Sequence, residues 1–226
     1  MSTEGLSTPD TMRDHWWWRP GWESGRSFYT WHVTFADQPS MRALAGSYAA
    51  ALRTLPTLDL VPVPWLHLTM QGVGFAHEVN PADVQAIVSA AQDRCTVLQT
   101  FTVAIGPPRV DVETVHMPVH PAEPLAEVRA AIRAAIGDVW GQDQVPEVAE
   151  GWRPHVSLAY SNFAGSAESA VRVIADQAPQ TAEITVSSVS LIDLNRDNNA
   201  YEWTDVCNGQ SRRRVISNVT AATRSG

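Results

Sequence analysis

The amino-acid sequence predicts an α+β fold, with antiparallel sheets that carry helices on one side. Three observations predict it. Segments in which apolar residues alternate are interspersed with segments of helical periodicity. A series of strand, helix and strand occurs twice along the chain, which indicates a duplication into two lobes. Each series ends in a histidine-x-hydroxyl motif, His67-Leu68-Thr69 and His155-Val156-Ser157, so two facing lobes place the motifs on opposite walls of a central cleft.

Residues 1–26 are predicted to form a Trp-rich N-terminal arm without regular structure, with tryptophans at positions 16, 17, 18 and 22. Because Trp has a large apolar area, we expect the arm to pack on the body of the protein and shield a sheet; an aromatic platform for a nucleobase or a membrane edge is the alternative. Residues 27–209 are predicted to form the two-lobed domain. Residues 210–226, which include three consecutive arginines, are predicted to form a flexible tail.

The elements of the first lobe follow from the spacing of its apolar residues. They are a strand at Phe28–Phe35, a helix at 40–54, a short strand at Leu58–Leu60, an extended segment at Trp65–Gln71 and a helix that ends at Cys95. The last helix has a clear start at Asn80 and Pro81, because Asn caps free backbone N–H groups and proline fits the first turn.

The second lobe repeats this order. Its elements are two or three strands within residues 99–119, broken at Gly106-Pro107-Pro108, a helix at 122–137, a loop at 141–151 and an extended segment at Arg153–Tyr160. Beyond it, we expect a short helix from a cap at Ser166 to Asp176, and strands at Glu183–Asp193 and Tyr201–Val206. In both lobes a histidine, His32 or His116, lies in the strand before the helix.

Each motif is suited to hold one phosphate. Side chains at positions i and i+2 of a strand share a face and lie about 6.5–7 Å apart, so His67 lies beside Thr69 and His155 beside Ser157. The imidazole can exchange a proton with an ester oxygen while the hydroxyl donates to a non-bridging oxygen. Displacement at phosphorus is in-line, so one imidazole must take a proton while the other gives one, and the ordinary pKa of histidine allows both.

The two motif segments resemble the paired motifs of the 2H phosphoesterase superfamily, and most closely those of its bacterial branch of 2′-5′ RNA ligase-like proteins, also called cyclic phosphodiesterases. They read Pro64-Trp65-Leu66-His67-Leu68-Thr69-Met70-Gln71-Gly72-Val73-Gly74-Phe75 and Arg153-Pro154-His155-Val156-Ser157-Leu158-Ala159-Tyr160. The resemblance covers about residues 27–207. It implies a bilobal, pseudo-twofold α+β fold with the site between the lobes. It also implies His67 and His155 as general acid and base, and Thr69 and Ser157 as phosphate ligands.

The reaction that this resemblance implies is the opening of a 2′,3′-cyclic phosphate to a 2′-phosphate, or reversible 2′-5′ RNA ligation. Neither a metal nor another cofactor is expected, because two hydroxyls and an arginine can hold the phosphate oxygens.

Three further residues are candidates for contacts with the substrate. Alternation places Arg153 on the same face as His155, where it can contact a phosphate or form a structural salt bridge. Tyr160 falls one residue off that face, in the core or at the edge of the cleft. His32 lies on the polar face of its strand and contacts the substrate or a motif residue if that face lines the cleft.

The charge of the chain limits its partners. The net charge is −8 and all sixteen basic residues are arginines, which argues against long duplex nucleic acid. A small phosphoester, such as a cyclic nucleotide or an RNA terminus, remains compatible with one arginine-lined pocket. The sequence has no signal peptide and no membrane-spanning run, so we expect a cytoplasmic protein, without membrane contact, that is a monomer.

Three alternatives compete with this hypothesis. The four histidines at positions 32, 67, 116 and 155 can converge on a zinc ion, although their spacing is not that of known zinc motifs. Ser157 can be the nucleophile of a serine hydrolase, although no nucleophile-elbow pattern surrounds it. A non-catalytic module can use the same cleft only to bind a nucleotide.

Overall fold

The computed structural model describes residues 8–206, and they form an α+β fold with antiparallel sheets. The helices are α1 (Pro39–Leu52), α2 (Pro81–Cys95), α3 (Glu123–Trp140) and α4 (Glu168–Ala175). The strands are β1 (Thr11–Met12), β2 (Phe28–Thr34), β3 (Leu58–Leu60), β4 (His67–Phe75), β5 (Phe101–Ile105), β6 (Arg109–Val110), β7 (Thr114–His120), β8 (His155–Ser161), β9 (Gly165–Ser166), β10 (Ala182–Val186), β11 (Ser190–Asn195) and β12 (Glu202–Asp205). The predicted tail, 210–226, lies outside the described residues.

Two antiparallel sheets carry the two motifs. The first sheet has the order β12-β11-β2-β4, and its edge strand β4 begins at His67. The second sheet has the order β10-β5-β7-β8-β3, with β6 paired to β7, and its strand β8 begins at His155. A third, small sheet joins β1 of the N-terminal arm to β9. Within residues 8–206, no helix is long and apolar enough to cross a lipid bilayer.

The helices are exchanged between the two sheets. Helix α1 follows β2 of the first sheet, but it packs against β10, β3 and β8 of the second sheet and against α4. Helix α3 follows β7 of the second sheet, but it packs against β4 of the first sheet and against α2. The duplication predicted from the sequence is therefore present in the order of elements, while each series of strand, helix and strand contributes to both lobes.

The apolar stripes predicted from the sequence form the core. Met41, Leu44, Tyr48 and Leu52 of α1 are buried, as the helical spacing predicts. The start of α2 is also confirmed, because the side chain of Asn80 accepts a hydrogen bond from the backbone N–H of Ala82 at 2.9 Å.

The N-terminal arm, predicted to lack regular structure, contains the short strand β1, which pairs with β9. Two further predicted segments differ from the structure. The predicted strand Glu183–Asp193 is two strands, β10 in the second sheet and β11 in the first, so the chain crosses between the sheets after Val186. Periodicity alone does not show this crossing, because apolar residues continue through it. The other difference is that β8 begins at His155, so Arg153 precedes the strand instead of belonging to it.

Each motif strand has a β-bulge directly after its motif hydroxyl. In β4, His32 of β2 pairs with Thr69 while Trp31 pairs with Gln71, which leaves Met70 without a partner in β2. In β8, His116 of β7 pairs with Ser157 while Val115 pairs with Ala159, which leaves Leu158 without a partner in β7. A bulge adds one residue to a strand and reverses the alternation of faces beyond it. The two lobes therefore share a local distortion at the same place.

Candidate active site

All four motif residues line one cavity of about 480 Å³ between the two sheets, which we call the central cavity. The strands that carry the motifs, β4 and β8, also contact each other. His67 and His155 are close enough for the charge of His155 to lower the pKa of His67. The structure therefore brings together the two histidines and the two hydroxyls that the sequence singles out.

The backbone fixes the tautomer of both motif histidines in the same way. His67 Nδ1 donates to the carbonyl oxygen of Trp65 at 2.8 Å, and His155 Nδ1 donates to the carbonyl oxygen of Arg153 at 2.9 Å. A carbonyl oxygen can only accept, so each Nδ1 carries a proton. In the neutral ring, Nε2 then has a free lone pair with which it can take a proton from a substrate.

The two motif histidines differ in their exposure to solvent. The side chain of His67 is buried, whereas His155 is exposed. Burial, with a smaller contribution from His155, lowers the pKa of His67 to about 4 against the opposing effect of the Trp65 carbonyl. His67 is therefore neutral near pH 7 and available as a proton acceptor.

His32 lies in the central cavity next to the first motif. It is 2% exposed, its ring stacks on that of His67 with centroids 4.3 Å apart, and its Nε2 lies 3.3 Å from Thr69 Oγ1. Burial holds the pKa of His32 well below its usual value, so the ring is neutral. If Nε2 carries the proton and donates to Oγ1, the Thr69 hydroxyl keeps its own proton for a ligand.

The second lobe places His116 where the first places His32. Both histidines face the hydroxyl residue of the neighbouring motif strand, and the His116 ring lies 5.2 Å from that of His155. His116 does not line the central cavity, however, and its Nδ1 contacts Thr114 Oγ1 at 3.3 Å. The pseudo-symmetry is thus clear in the backbone and incomplete in the side chains.

Tyr160 lies in the wall of the central cavity, on the same side as Ser157. Strict alternation places it one residue off the face of His155, but the bulge at Leu158 turns it toward the motif. Burial raises the pKa of Tyr160 against the opposing effect of the nearby Ser157 side chain, so the phenol keeps its proton. The sequence left open whether Tyr160 lies in the core or at the edge of the cleft. In the structure, Tyr160 is buried and also lines the central cavity.

The N-terminal arm supplies part of the cavity wall, a feature that the sequence did not reveal. Arg13, His15, Arg19 and Trp22 of the arm line the central cavity. The carboxylate of Glu113 accepts from Arg13 Nε at 2.7 Å and from Arg19 Nη2 at 2.6 Å. Although partial burial opposes it, these two arginines hold the pKa of Glu113 below its usual value. The arm thus contributes two arginines to a cavity that is also lined by the carboxylates of Asp111, Glu113 and Glu147.

His15 joins the arm to the two tyrosines of the cavity. It is 6% exposed, its ring stacks on Tyr160 with centroids 4.2 Å apart, and its Nε2 lies 2.8 Å from the hydroxyl of Tyr201. Burial, followed by the charge of Arg19, lowers the pKa of His15 to about 4 despite the nearby Glu113. Tyr201 in turn lies edge-on to His67, with centroids 5.9 Å apart. The sequence assigned His15 only to the arm, since these contacts span 98 to 186 positions of the chain.

The tryptophans of the arm divide into two pairs. Trp16 donates from Nε1 to Asp59 at 2.8 Å, and Trp22 packs against Phe28 and Phe75. Trp17 and Trp18 are 44% and 53% exposed. The expectation that the arm packs on the body is therefore confirmed for Trp16 and Trp22, whereas Trp17 and Trp18 remain at the surface.

Arg153 does not line the central cavity. Arg153 lines a second cavity instead. His155 lines both this second cavity and the central cavity. The sequence placed Arg153 and His155 on one face of a strand, but the strand begins only at His155, so alternation does not apply to Arg153.

A buried arginine holds the bulge of β4 and the loop before β8 together. Arg129 of α3 is 5% exposed and donates from Nε to the carbonyl oxygen of Met70 at 2.8 Å. Its other nitrogens donate to the carbonyl oxygens of Val148 and Ala149. Trp152, just beyond this loop, donates from Nε1 to the carbonyl oxygen of Thr69 at 3.1 Å. The loop that leads to His155 is thereby fixed to the strand that carries Thr69.

Replacing Arg129 with methionine is expected to destabilise the protein by at least about 1.5–3 kcal/mol, because hydrogen bonds from a charged group are lost and carbonyl oxygens stay buried without a donor. Urea denaturation followed by circular dichroism measures the change in the free energy of unfolding. Arg42→Met is the matched control, since exposed Arg42 donates to the carbonyl oxygen of the nearby Ala36 in the part of the chain that the structure describes. Equal stability of the two variants contradicts the structural role of Arg129.

The zinc alternative requires at least three ligating side chains close together, and the described residues do not provide them. Within residues 8–206, no three side chains of His, Cys, Asp or Glu are grouped as a metal site requires. Of the four histidines that the sequence suggested, His32 packs on His67 and His116 on His155.

Comparisons with known proteins agree with this fold. Residues 41–198, more than half of the chain, match the family model of the 2′-5′ RNA ligase superfamily. No curated protein matches the sequence. Among solved structures, the chain is similar to TT0787 of Thermus thermophilus, with a TM-score of 0.62 and 15% identity over 79% of this chain and 94% of that one.

Two other solved structures show the same similarity. E. coli LigT complexed with 3′-AMP has a TM-score of 0.57 and 12% identity, over 80% of this chain and 96% of that one. The MHV ns2 PDE domain has a TM-score of 0.51 and 11% identity, over 75% and 99%. At such low identities these structures show the fold alone. The match to the family model goes further: this chain belongs to the 2′-5′ RNA ligase superfamily of 2H phosphoesterases.

Proposed function

We propose that the protein is a metal-independent phosphodiesterase that opens the 2′,3′-cyclic phosphate of a nucleotide or an RNA end to a 2′-phosphate, or that reversibly forms 2′-5′ linkages. The observation that carries the proposal is the pair of motif histidines in one cavity. Each has its Nδ1 proton on a backbone carbonyl and its Nε2 free for proton transfer.

In hydrolysis, we assign His67 as the general base and His155 as the general acid. The buried His67 is neutral, so its Nε2 takes the proton of an attacking water. The water oxygen forms a bond to phosphorus while the bond from phosphorus to O3′ breaks. The exposed His155 gives its proton to O3′, which leaves a 2′-phosphate and a free 3′-hydroxyl. In the ligation direction a hydroxyl replaces water.

The hydroxyls of Thr69 and Ser157 stabilise the charge on the non-bridging oxygens. Both line the central cavity; His32 is placed to orient the hydroxyl of Thr69, and Tyr160 lies near Ser157. Preorganised donors of this kind cost no reorganisation during the reaction. Arg13 and Arg19 line the same cavity, so their guanidinium groups, both bound to Glu113, are placed near the anionic substrate.

The size of the central cavity supports a substrate of about one nucleotide. Its volume of about 480 Å³ lies within the range of about 300–1,000 Å³ that is usual for small-molecule sites. A structural neighbour, E. coli LigT, has been solved in complex with phosphate, 3′-AMP and ATP.

A screen of 2′,3′- and 3′,5′-cyclic nucleotides and 2′-5′-linked dinucleotides tests the proposal, with product analysis for the wild type and the double variant His67→Ala/His155→Ala. We expect the wild type to form 2′-phosphates in excess EDTA and the double variant to form none. Loss of activity in EDTA that zinc restores contradicts metal independence. Binding of a cyclic nucleotide by calorimetry without any turnover favours the alternative function, a nucleotide-binding module.

The pH dependence of kcat/KM tests the assignment of His67 as base. Because the pKa of His67 is lowered to about 4 in the free protein, kcat/KM should stay constant as pH falls through 6 and decline only near pH 4. The bound phosphate is negative and raises the pKa of His67, so the acid limb of kcat should lie at higher pH. The exposed His77→Asn variant is the control. An acid limb of kcat/KM at pH 6–7 excludes His67 as this base.

A further inference from the structure

A second cavity opens on the other side of His155. It has a volume of about 1,130 Å³ and is lined by Arg109, His116, His120, Trp152 and Arg153, among others; we call it the side groove. The side groove adjoins the central cavity, since Asp111, Thr114 and His155 line both. A ligand whose phosphate lies between the two motif histidines can therefore extend into this groove without leaving the protein surface.

Two arginines of the side groove are without a counterion. Within residues 8–206, the side chains of Arg109 and Arg153 form no hydrogen bond and no ion pair, and both residues are exposed. By contrast, Arg13, Arg19, Arg26, Arg94 and Arg172 each bind a carboxylate. In a chain of net charge −8, two free arginines in one groove mark a local site for an anion.

The other polar groups of the side groove leave this positive charge largely in place. His116 is neutral near pH 7, because burial, followed by the charges of His155 and Arg109, lowers its pKa to about 4 against the opposing effect of Asp111. Among the described residues, Asp111 is the one carboxylate that lines the groove, and it also lines the central cavity. The groove thus carries two arginines against one acid, with the indole of Trp152 in its wall.

We propose that the side groove binds the nucleotides that precede the cyclic phosphate in a single-stranded RNA, with Arg109 and Arg153 on their backbone phosphates. This inference rests on the proposed function and deepens it. The terminal nucleotide occupies the central cavity, and its 5′-phosphate leads the strand past His155 into the groove. The preferred substrate is then a short RNA end, because a mononucleotide leaves the groove empty.

A comparison of two substrates tests the inference. The kcat/KM of a trinucleotide that ends in a 2′,3′-cyclic phosphate is divided by that of the corresponding cyclic mononucleotide. We expect this ratio to fall about tenfold in the double variant Arg109→Gln/Arg153→Gln, since two exposed charge contacts are lost. Arg53→Gln is the matched control: Arg53 is exposed, likewise has no ion pair within residues 8–206, and lines neither cavity, so its ratio should equal that of the wild type.

Salt dependence gives a second readout that a purely structural defect does not change. For single strands, each phosphate contact contributes about 0.7 to the slope of log K against log salt concentration. Fluorescence anisotropy with a labelled trinucleotide ending in a 2′-phosphate should show a slope smaller by about 1.4 in the double arginine variant than in the wild type. Binding is measured in the His67→Ala/His155→Ala background, so it needs no turnover.

The outcomes separate the two proposals. If neither substrate is turned over by the wild type, the proposed function fails, and the groove is judged by anisotropy alone. The groove is not an RNA site if the wild type has the same kcat/KM for the mononucleotide as for the trinucleotide. The same conclusion follows if the arginine variant leaves both the ratio and the salt slope unchanged. In either case the proposed function still stands.

Discussion

Replacing either His67 or His155 with alanine is expected to lower kcat about 10²–10⁴-fold, the usual effect of losing a general acid or base. In-line displacement needs both proton transfers, so the remaining histidine cannot compensate. Steady-state kinetics with a 2′,3′-cyclic nucleotide measures the loss. The His77→Ala variant, which removes an exposed histidine outside both cavities, should retain wild-type activity.

The different burial of the two histidines makes this prediction sharper. The site of His155 is open to solvent, whereas His67 is enclosed by His32, Tyr201 and Trp203. Added imidazole should therefore restore part of the activity of His155→Ala and much less of that of His67→Ala. Full activity in either single variant contradicts the acid–base assignment, and equal rescue of both contradicts the difference in access.

The second large effect is expected from the two motif hydroxyls. Thr69→Val and Ser157→Ala should each lower kcat about 10²–10³-fold, which is typical for the loss of one donor to a developing oxyanion. Valine keeps the shape of threonine, so the change removes the hydroxyl with little effect on packing. The loss should appear in kcat more than in KM, because the hydroxyl bonds strengthen as charge develops on the phosphate oxygens.

Thr102→Val is the control for these hydroxyl variants. Thr102 is an exposed strand residue of β5 that lines neither cavity, so its substitution should leave the kinetics unchanged. If Thr69→Val raises KM and leaves kcat unchanged, Thr69 only binds the ground state of the substrate and does not stabilise the transition state.

The sequence was sufficient to predict the motif half of the site. His67 with Thr69 and His155 with Ser157 are local pairs, and the two-residue period of a strand fixes their common face. The order of strands and helices also predicted the α+β class. These features depend on neighbours in sequence, where alternation and helical spacing are informative.

The rest of the site depends on contacts that local patterns do not encode. The bulge at Leu158 brings Tyr160 to the motif face, and no spacing rule predicts where a strand gains an extra residue. His15 reaches Glu113 and Tyr201 across most of the chain. The place where β8 starts decides that Arg153 belongs to the side groove instead of the central cavity.

The exchange of strands and helices between the lobes has a consequence for synthesis on the ribosome. Strands β2 and β4 emerge early, but β11, the partner of β2 on its other side, comes more than 150 residues later. Until that segment leaves the exit tunnel, the open edge of β2 can pair with other nascent chains. The topology therefore leaves this edge exposed to aggregation until the last part of the domain has been synthesised.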